Sequence, residues 1–109
     1  MQYCLVLCTC PQGETAQFLA RSLVEERLAA CVNILPGMVS VYSWKGTMES
    51  SQEALLLIKT ERSVYSRLES RLRELHPYEL PEIIAVDIER GLPDYLNWIS
   101  QWLSSASHP

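Results

Sequence analysis

The chain is short of several features on which specialised proteins depend. Only 9 of its 109 residues are lysine or arginine, against 13 aspartates and glutamates, and the formal net charge is -4. A nucleic-acid-binding protein needs a basic face to neutralise phosphates, so this balance argues against nucleic acid as a partner. No apolar stretch approaches the roughly 20 residues that a membrane-spanning helix requires. We therefore expect neither a nucleic acid nor a membrane as a partner.

Glycine and cysteine are also scarce. The 4 glycines form no run of the kind that cradles phosphates. The 4 cysteines make no disulfide framework, since Cys8 and Cys10 are too near in sequence to bridge without strain. The first residues also lack the basic segment that opens a signal peptide. We expect a cytoplasmic protein whose thiols stay reduced.

Enough apolar residues are present to build a core. The chain is 48% hydrophobic, and its length is typical of one domain, so we expect a single domain over residues 1–109. Hydrophobic periodicity predicts seven elements in the order β-α-β-β-α-β-α. The predicted strands cover residues 3–9, 31–45, 52–60 and 82–89, and the predicted helices cover 14–29, 64–75 and a stretch beginning at Pro93.

Local signals add detail to this pattern. Pro36-Gly37 predicts a bulge or bend in the second strand, and residues 45–51 are expected to connect the two central strands as a long hairpin. Ser63 is the predicted cap of the second helix. Tyr42 and Trp44, near the far end of the hairpin, are either interface anchors or ordinary packing against the third helix.

The first six elements predict an α+β, ferredoxin-like fold. It consists of a split βαββαβ antiparallel sheet with two helices on one face, followed by an extra C-terminal helix. The strands carry apolar side chains on both faces, and the last helix is too short to cover the whole second face. We therefore expect the protein to associate with copies of itself.

Two kinds of residue are candidates for metal chemistry. Cys8 and Cys10 fall on one face of the first strand and suit a soft metal such as Cu(I), although a free cysteine is more often a small buried apolar residue. His76 follows the second helix, where it either interacts with the helix dipole or ligates a metal. The second histidine, His108, lies in a serine-rich tail. The prolines of the segment His76-Pro77-Tyr78-Glu79-Leu80-Pro81-Glu82 make it a stiff loop of the kind that often carries function.

Catalytic patterns are missing, so we expect the protein not to be an enzyme. Neither a nucleophile elbow, a phosphate loop, HExxH nor CxxC occurs in the sequence. An acylphosphatase-like hydrolase needs an arginine and an asparagine converging on a phosphate. Arg21 and Asn33 have the right chemistry, but nothing in the sequence places them together.

Five motifs in order resemble the CutA family of divalent-cation tolerance proteins, from about residue 4 to residue 103. They are Leu7-Cys8-Thr9-Cys10-Pro11, Leu28-Ala29-Ala30-Cys31-Val32-Asn33, Tyr42-Ser43-Trp44-Lys45-Gly46, Leu57-Ile58-Lys59-Thr60, and His76-Pro77-Tyr78-Glu79-Leu80-Pro81-Glu82. Each motif alone is modest, but their order along the chain is specific.

The resemblance implies a ferredoxin-like homotrimer whose hairpins reach onto neighbouring subunits and which serves in divalent-cation tolerance. It also implies a copper site, holding Cu(2+) as the metal, with Cys8 and His76 as the ligands. Leu75 stands where some members have another histidine, which leaves two of three ligands. The fold further resembles the PII signalling proteins. This favours an alternative function, a trimer that binds a small molecule in clefts between subunits near Lys59, Tyr78 and Glu79.

Overall fold

The computed structural model describes residues 2–104, and the elements follow the predicted order. The strands are β1 Tyr3–Cys10, β2 Cys31–Trp44, β3 Thr47–Glu61 and β4 Ile83–Ile88, and the helices are α1 Glu14–Glu25, α2 Tyr65–Leu75 and α3 Pro93–Ser104. The strands pair antiparallel in one sheet in the order β2-β3-β1-β4. This arrangement confirms the predicted α+β ferredoxin-like fold with an additional C-terminal helix. His108 lies outside the described residues.

One face of the sheet, called here the helix face, is covered by α1 and α2. The strand residues on it alternate with those on the opposite face, as the pleat of a strand requires. Its buried members in β1 and β3 are Cys4, Val6, Cys8, Cys10, Ala54, Leu56, Ile58 and Thr60. The helices add Leu19 and Leu23 from α1 and Leu68 and Leu72 from α2. The core of the protein therefore lies between this face and the two helices.

The opposite face of the sheet, called here the second face, is covered at one end only. There α3 lies against the start of β1 and the end of β3, and the Tyr3 hydroxyl is 2.6 Å from the Ser100 hydroxyl. Ser100 donates in turn to Glu61 at 2.9 Å. Farther along this face Ile84 is 51% exposed and Val86 is 47% exposed. The predicted shortfall in cover on the second face is therefore present in the single chain.

The end of α3 is fastened to the end of α1 by two reciprocal hydrogen bonds. Trp102 Nε1 donates to the Val24 carbonyl at 3.0 Å, and Arg27 Nη1 donates to the Trp102 carbonyl at 3.1 Å. The Arg27 guanidinium also lies 3.5 Å from the centre of the Trp102 ring. A side chain from each segment thus donates to a carbonyl near the end of the other helix. The Val24 carbonyl also accepts the Arg27 backbone N–H at 3.0 Å.

The hairpin is longer than the sequence predicted, and residues 45–51 are not its connection. Only Lys45 and Gly46 form the turn, both with positive φ, at 51° and 82°, as a tight two-residue hairpin turn requires. The mostly polar residues 47–52 belong to β3 and pair with residues 39–44 of β2. The predicted bulge is confirmed, since the pairing register shifts between Leu35 and Met38.

Two other sequence predictions are wrong in detail. The first helix ends at Glu25 rather than residue 29, because Arg27 adopts a left-handed φ of 57° and Leu28 N donates back to the Leu23 carbonyl at 2.9 Å. This is the Schellman type of helix end. Ser63 does not cap α2. It lies in a short 3-10 turn, Arg62–Val64, and the cap position is Val64, whose side chain has no hydrogen-bonding group.

Candidate metal site at the end of the first strand

The structure brings Cys8 and His76 to the same carbonyl group. The pairing of β1 with β4 ends at Cys8 and Ile83, and the next carbonyl along β1 belongs to Thr9. His76 Nε2 lies 2.8 Å from that oxygen, and the Cys8 thiol donates to it at 3.6 Å. The resemblance to CutA proteins therefore selected two residues that are neighbours in the fold.

The His76 ring has its tautomer set by its partners. The Tyr78 backbone N–H donates to Nδ1 at 3.1 Å, so Nδ1 accepts and carries no proton. Nε2 then carries the proton and donates to the Thr9 carbonyl. The residue is only 7% exposed, and both ring nitrogens have protein partners. His76 directly follows α2, as the sequence predicted. The orientation of its ring is explained by these two hydrogen bonds.

The Cys8 thiol is held in its protonated form. It is fully buried on the helix face, and burial is the main reason that its pKa rises from 9.0 to about 12. The neighbouring Cys10, Glu82 and Glu53 add smaller contributions in the same direction. Burial also raises the pKa of the Cys10 thiol, to about 11. Both thiols are therefore harder to ionise than an exposed cysteine.

A hydrogen-bonded pair beside His76 was not predicted from the sequence. The Tyr78 hydroxyl donates to Glu53 Oε2 at 2.6 Å, and Glu53 is only 5% exposed. Burial, followed by this hydrogen bond, raises the pKa of Tyr78. Glu53 was overlooked because it sits at the end of a polar run, Glu49-Ser50-Ser51-Gln52-Glu53, and nothing in that run distinguishes it.

The hairpin tip and the stiff loop are in contact. Lys45 Nζ at the turn lies 3.7 Å from Glu79 Oε2 and 5.6 Å from the centre of the Trp44 ring. Lys59, by contrast, is six residues along β3 from Glu53, roughly 20 Å at the rise of a strand. Its amine contacts Asn33 Oδ1 on β2. Of the three residues predicted for a small-molecule cleft, only Tyr78 and Glu79 are close together.

The pair Cys8 and His76, as arranged here, does not fit a copper ion. A metal at His76 needs an available nitrogen lone pair, whereas here Nδ1 accepts the Tyr78 N–H and Nε2 donates to the Thr9 carbonyl. The Cys8 sulfur is fully buried. Residues 2–104 also contain no group of three or more histidine, cysteine, aspartate or glutamate side chains arranged to hold a metal ion. What the residues of this site do form is a set of hydrogen bonds that joins Thr9, His76, Tyr78 and Glu53.

The four-stranded sheet, its long hairpin and the three helices define a ferredoxin-like protein with an extended central hairpin. The sequence model described as "CutA1 divalent ion tolerance protein" matches residues 4–102. The chain therefore belongs to the CutA1 divalent ion tolerance family.

Individual relatives agree with this assignment. The "Divalent-cation tolerance protein CutA" of Thermus thermophilus is 48% identical over 97 residues, covering 89% of this chain and 94% of that protein. The crystal structure of CutA from Xylella fastidiosa superposes with a TM-score of 0.92 at 48% identity, covering 94% of this chain and 99% of that one. The recognition of the family from five motifs is thus confirmed.

The chain spans about half the length of some relatives. It is 46% identical over 100 residues to the mouse "Protein CutA", which covers 92% of this chain but only 56% of the mouse protein. A relative from Arabidopsis thaliana is named "Protein CutA, chloroplastic". In residues 2–104 of the present chain, the longest helices have 12 residues, and none is long and apolar enough to cross a membrane.

Proposed function

We propose that this protein serves in divalent-cation tolerance as a non-catalytic homotrimer that binds copper or another divalent metal. The observation that carries the assembly is the second face of the sheet. Leu35, Ile84 and Val86 on this face are each about half exposed in the single subunit. The residues between them are only partly covered, namely Leu5, Leu7, Leu55 and Leu57. A continuous apolar surface of this kind marks a site of association.

The hairpin supports the same proposal. Beyond the bulge it carries Val39, Val41 and Met48, which are 58%, 68% and 73% exposed. Tyr42 and Trp44 lie on the same stretch of β2 and are also exposed. Exposed apolar and aromatic side chains on a projecting hairpin suit a neighbouring subunit, where such residues commonly anchor interfaces.

Sedimentation velocity tests the assembly. Ile84→Asp places a charge on the β4 side of the second face and is expected to shift the trimer to monomer. The matched control is Phe18→Asp, since Phe18 is 54% exposed but lies on α1, away from that face. Trp44→Ala combined with a shortened hairpin is expected to weaken the trimer less. Assembly that is unaffected by Ile84→Asp would place the interface elsewhere.

The metal part of the proposal rests on membership of the family, and the ligands Cys8 and His76 stay a prediction. Calorimetric titration of Cu(2+) into the wild type, Cys8→Ser and His76→Ala tests it. Loss of binding in both variants would assign the site to this pair. Copper binding that persists in both variants would support the function but show that other residues are the ligands. The hydrogen bonds of His76 favour this second outcome.

The alternative, a PII-like trimer binding a small molecule between subunits, has weaker support. Its predicted cleft residues do not converge within the subunit, since Lys59 is remote from Tyr78 and Glu79. Thermal-shift measurements with nucleotides and with metals separate the two functions, because stabilisation by a metabolite alone would favour the alternative. The cytoplasmic location stays a prediction, which subcellular fractionation tests.

A further inference from the structure

The end of β1 leaves one carbonyl group for a side chain to satisfy. The last residue pair between β1 and β4 is Cys8 with Ile83, so β4 does not continue alongside Thr9. A buried carbonyl without a donor is costly, and structures rarely contain one. The His76 Nε2–H fills this role at 2.8 Å, and Thr9 and His76 are both buried. The imidazole thus replaces the next hydrogen bond of the strand pair.

The second nitrogen of the same ring holds the loop that follows α2. Tyr78 N–H donates to Nδ1 at 3.1 Å, across the intervening Pro77, which has no N–H of its own. A neutral imidazole has one donor and one acceptor, and this tautomer uses both on protein groups. A metal at Nδ1 would have to displace the Tyr78 N–H. A metal at Nε2 would have to displace both the proton and the Thr9 carbonyl.

The ring also determines where the Tyr78 side chain lies. The centres of the His76 and Tyr78 rings are 4.7 Å apart with a tilt of 54°. Held in this position, the Tyr78 hydroxyl reaches Glu53 Oε2 at 2.6 Å. Glu53 pairs with Met38 directly beyond the bulge of β2, so this hydrogen bond reaches the base of the hairpin.

From these contacts we infer that His76 is a structural bridge in this chain and not a metal ligand. Its ring joins the end of β1 to the loop before β4 and positions the Tyr78 hydroxyl on the buried Glu53 carboxylate. The residue before it fits this role, because Leu75 is partly buried against the core. The inference bears only on the ligands of the proposed metal function and is independent of trimer formation.

Nitrogen-15 NMR of the imidazole rings tests the inference on the unaltered protein. The expected spectrum of His76, assigned by its disappearance in His76→Gln, is that of a neutral Nε2–H tautomer. This spectrum should not change when Zn²⁺, a diamagnetic probe, is added at one equivalent per subunit. An Nδ1–H tautomer, or a Zn²⁺-dependent shift of either ring nitrogen, would overturn the inference.

Substitutions that keep half of the bridge supply a second test. The His76→Gln amide can still donate towards the Thr9 carbonyl, the His76→Asn carbonyl can still accept from Tyr78 N–H, and His76→Ala can do neither. The expected melting temperatures are highest for the wild type, intermediate for Gln and Asn, and lowest for Ala, while Cu²⁺ affinity stays within twofold throughout. Equal melting temperatures with at least a tenfold loss of Cu²⁺ affinity in all three variants would contradict the bridge.

The two proposals can fail separately in these experiments. If the wild type binds no Cu²⁺ or Zn²⁺ at all, the metal part of the proposed function fails, whereas the tautomer and the order of melting temperatures still decide the role of His76. If His76→Ala does not fold, Tyr78→Phe is used instead, because it removes only the hydrogen bond from the Tyr78 hydroxyl to Glu53. That variant is then expected to retain the His76 tautomer and lose part of the stability.

Discussion

The two faces of the sheet carry similar apolar side chains but meet very different surroundings. Leu56 and Leu57 are neighbours in β3 and point to opposite faces, so they show the contrast within one strand. Leu56 is fully buried beneath the helices, whereas Leu57 is only partly covered. Apolar alternation alone therefore does not separate a core face from a face that the helices leave largely uncovered. The difference is the layer of helices, which covers one face and only one end of the other.

The largest expected effect comes from breaking this comparison at the leucine pair. Leu56→Ala leaves a cavity beneath α1 and α2 and is expected to lower the free energy of unfolding by about 2–5 kcal/mol. Leu57→Ala, measured in the Ile84→Asp background that is expected to be monomeric, should lower it by less than half as much. Urea unfolding of both variants measures the difference. Equal losses in that background would mean that the second face is already packed within one subunit.

Thiol labelling compares the two faces by chemical reactivity. Alkylation requires the thiolate, and at a pKa of about 12 only roughly one Cys8 in ten thousand is ionised at pH 8. Cys8 is also fully buried, so it is expected to label only when the structure opens locally. Cys31, on the second face, is half-buried and should label first. Mass spectrometry after native iodoacetamide treatment gives the order, and early labelling of Cys8 would contradict its burial.

A smaller effect is expected where α3 is fastened over the second face. Arg27→Ala removes both the donor to the Trp102 carbonyl and the cation on the Trp102 ring, so the expected loss of stability is about 1–3 kcal/mol. Arg27→Gly is the matched control, because it loses the same contacts but adopts the left-handed φ of this position without strain. Its loss should therefore be smaller. In Arg27→Ala, hydrogen exchange should show α3 opening before α1. Protection of α3 equal to that of the wild type would show that these contacts do not hold the helix in place.

The smallest effect is expected at the tip of the hairpin. Lys45 and Glu79 form an ion pair in which both side chains are more than two-thirds exposed. Such pairs contribute about 0–1 kcal/mol, so Glu79→Gln should leave the stability of the subunit nearly unchanged. The double variant with Lys45→Ala measures the coupling by a mutant cycle. A coupling above roughly 1 kcal/mol would indicate that this contact becomes buried on assembly.

Much of the fold could be predicted because it depends on local signals. Periodicity identified all seven elements, and Pro36-Gly37 marked the bulge. The start of β3 was missed because residues 47–52 are mostly polar and resemble a loop, although they pair with exposed β2 residues. The end of α1 was missed because the apolar spacing continues through Leu28, while the backbone turns at Arg27.

The site was predictable only as a set of residues. A motif drew attention to His76 and Tyr78, but their chemistry depends on partners far away in sequence. The Thr9 carbonyl is 67 residues from His76, and Glu53 is 25 residues from Tyr78. No spacing rule connects such positions, and without them an imidazole beside a cysteine suggests a ligand. The hydrogen bonds of the folded chain give that imidazole a different role.

The bulge at Pro36-Gly37 also resets the phase of β2. Three steps from Leu35 to Met38 on β2 correspond to two steps from Leu55 to Glu53 on β3, so odd and even positions exchange sides. Gly37, at a φ of 75°, makes this possible. Before the bulge, Ile34 lies on the helix face, and after it the even-numbered Tyr42 and Trp44 lie on the other. A single inserted residue thus decides which side of the sheet the hairpin presents its aromatic rings to.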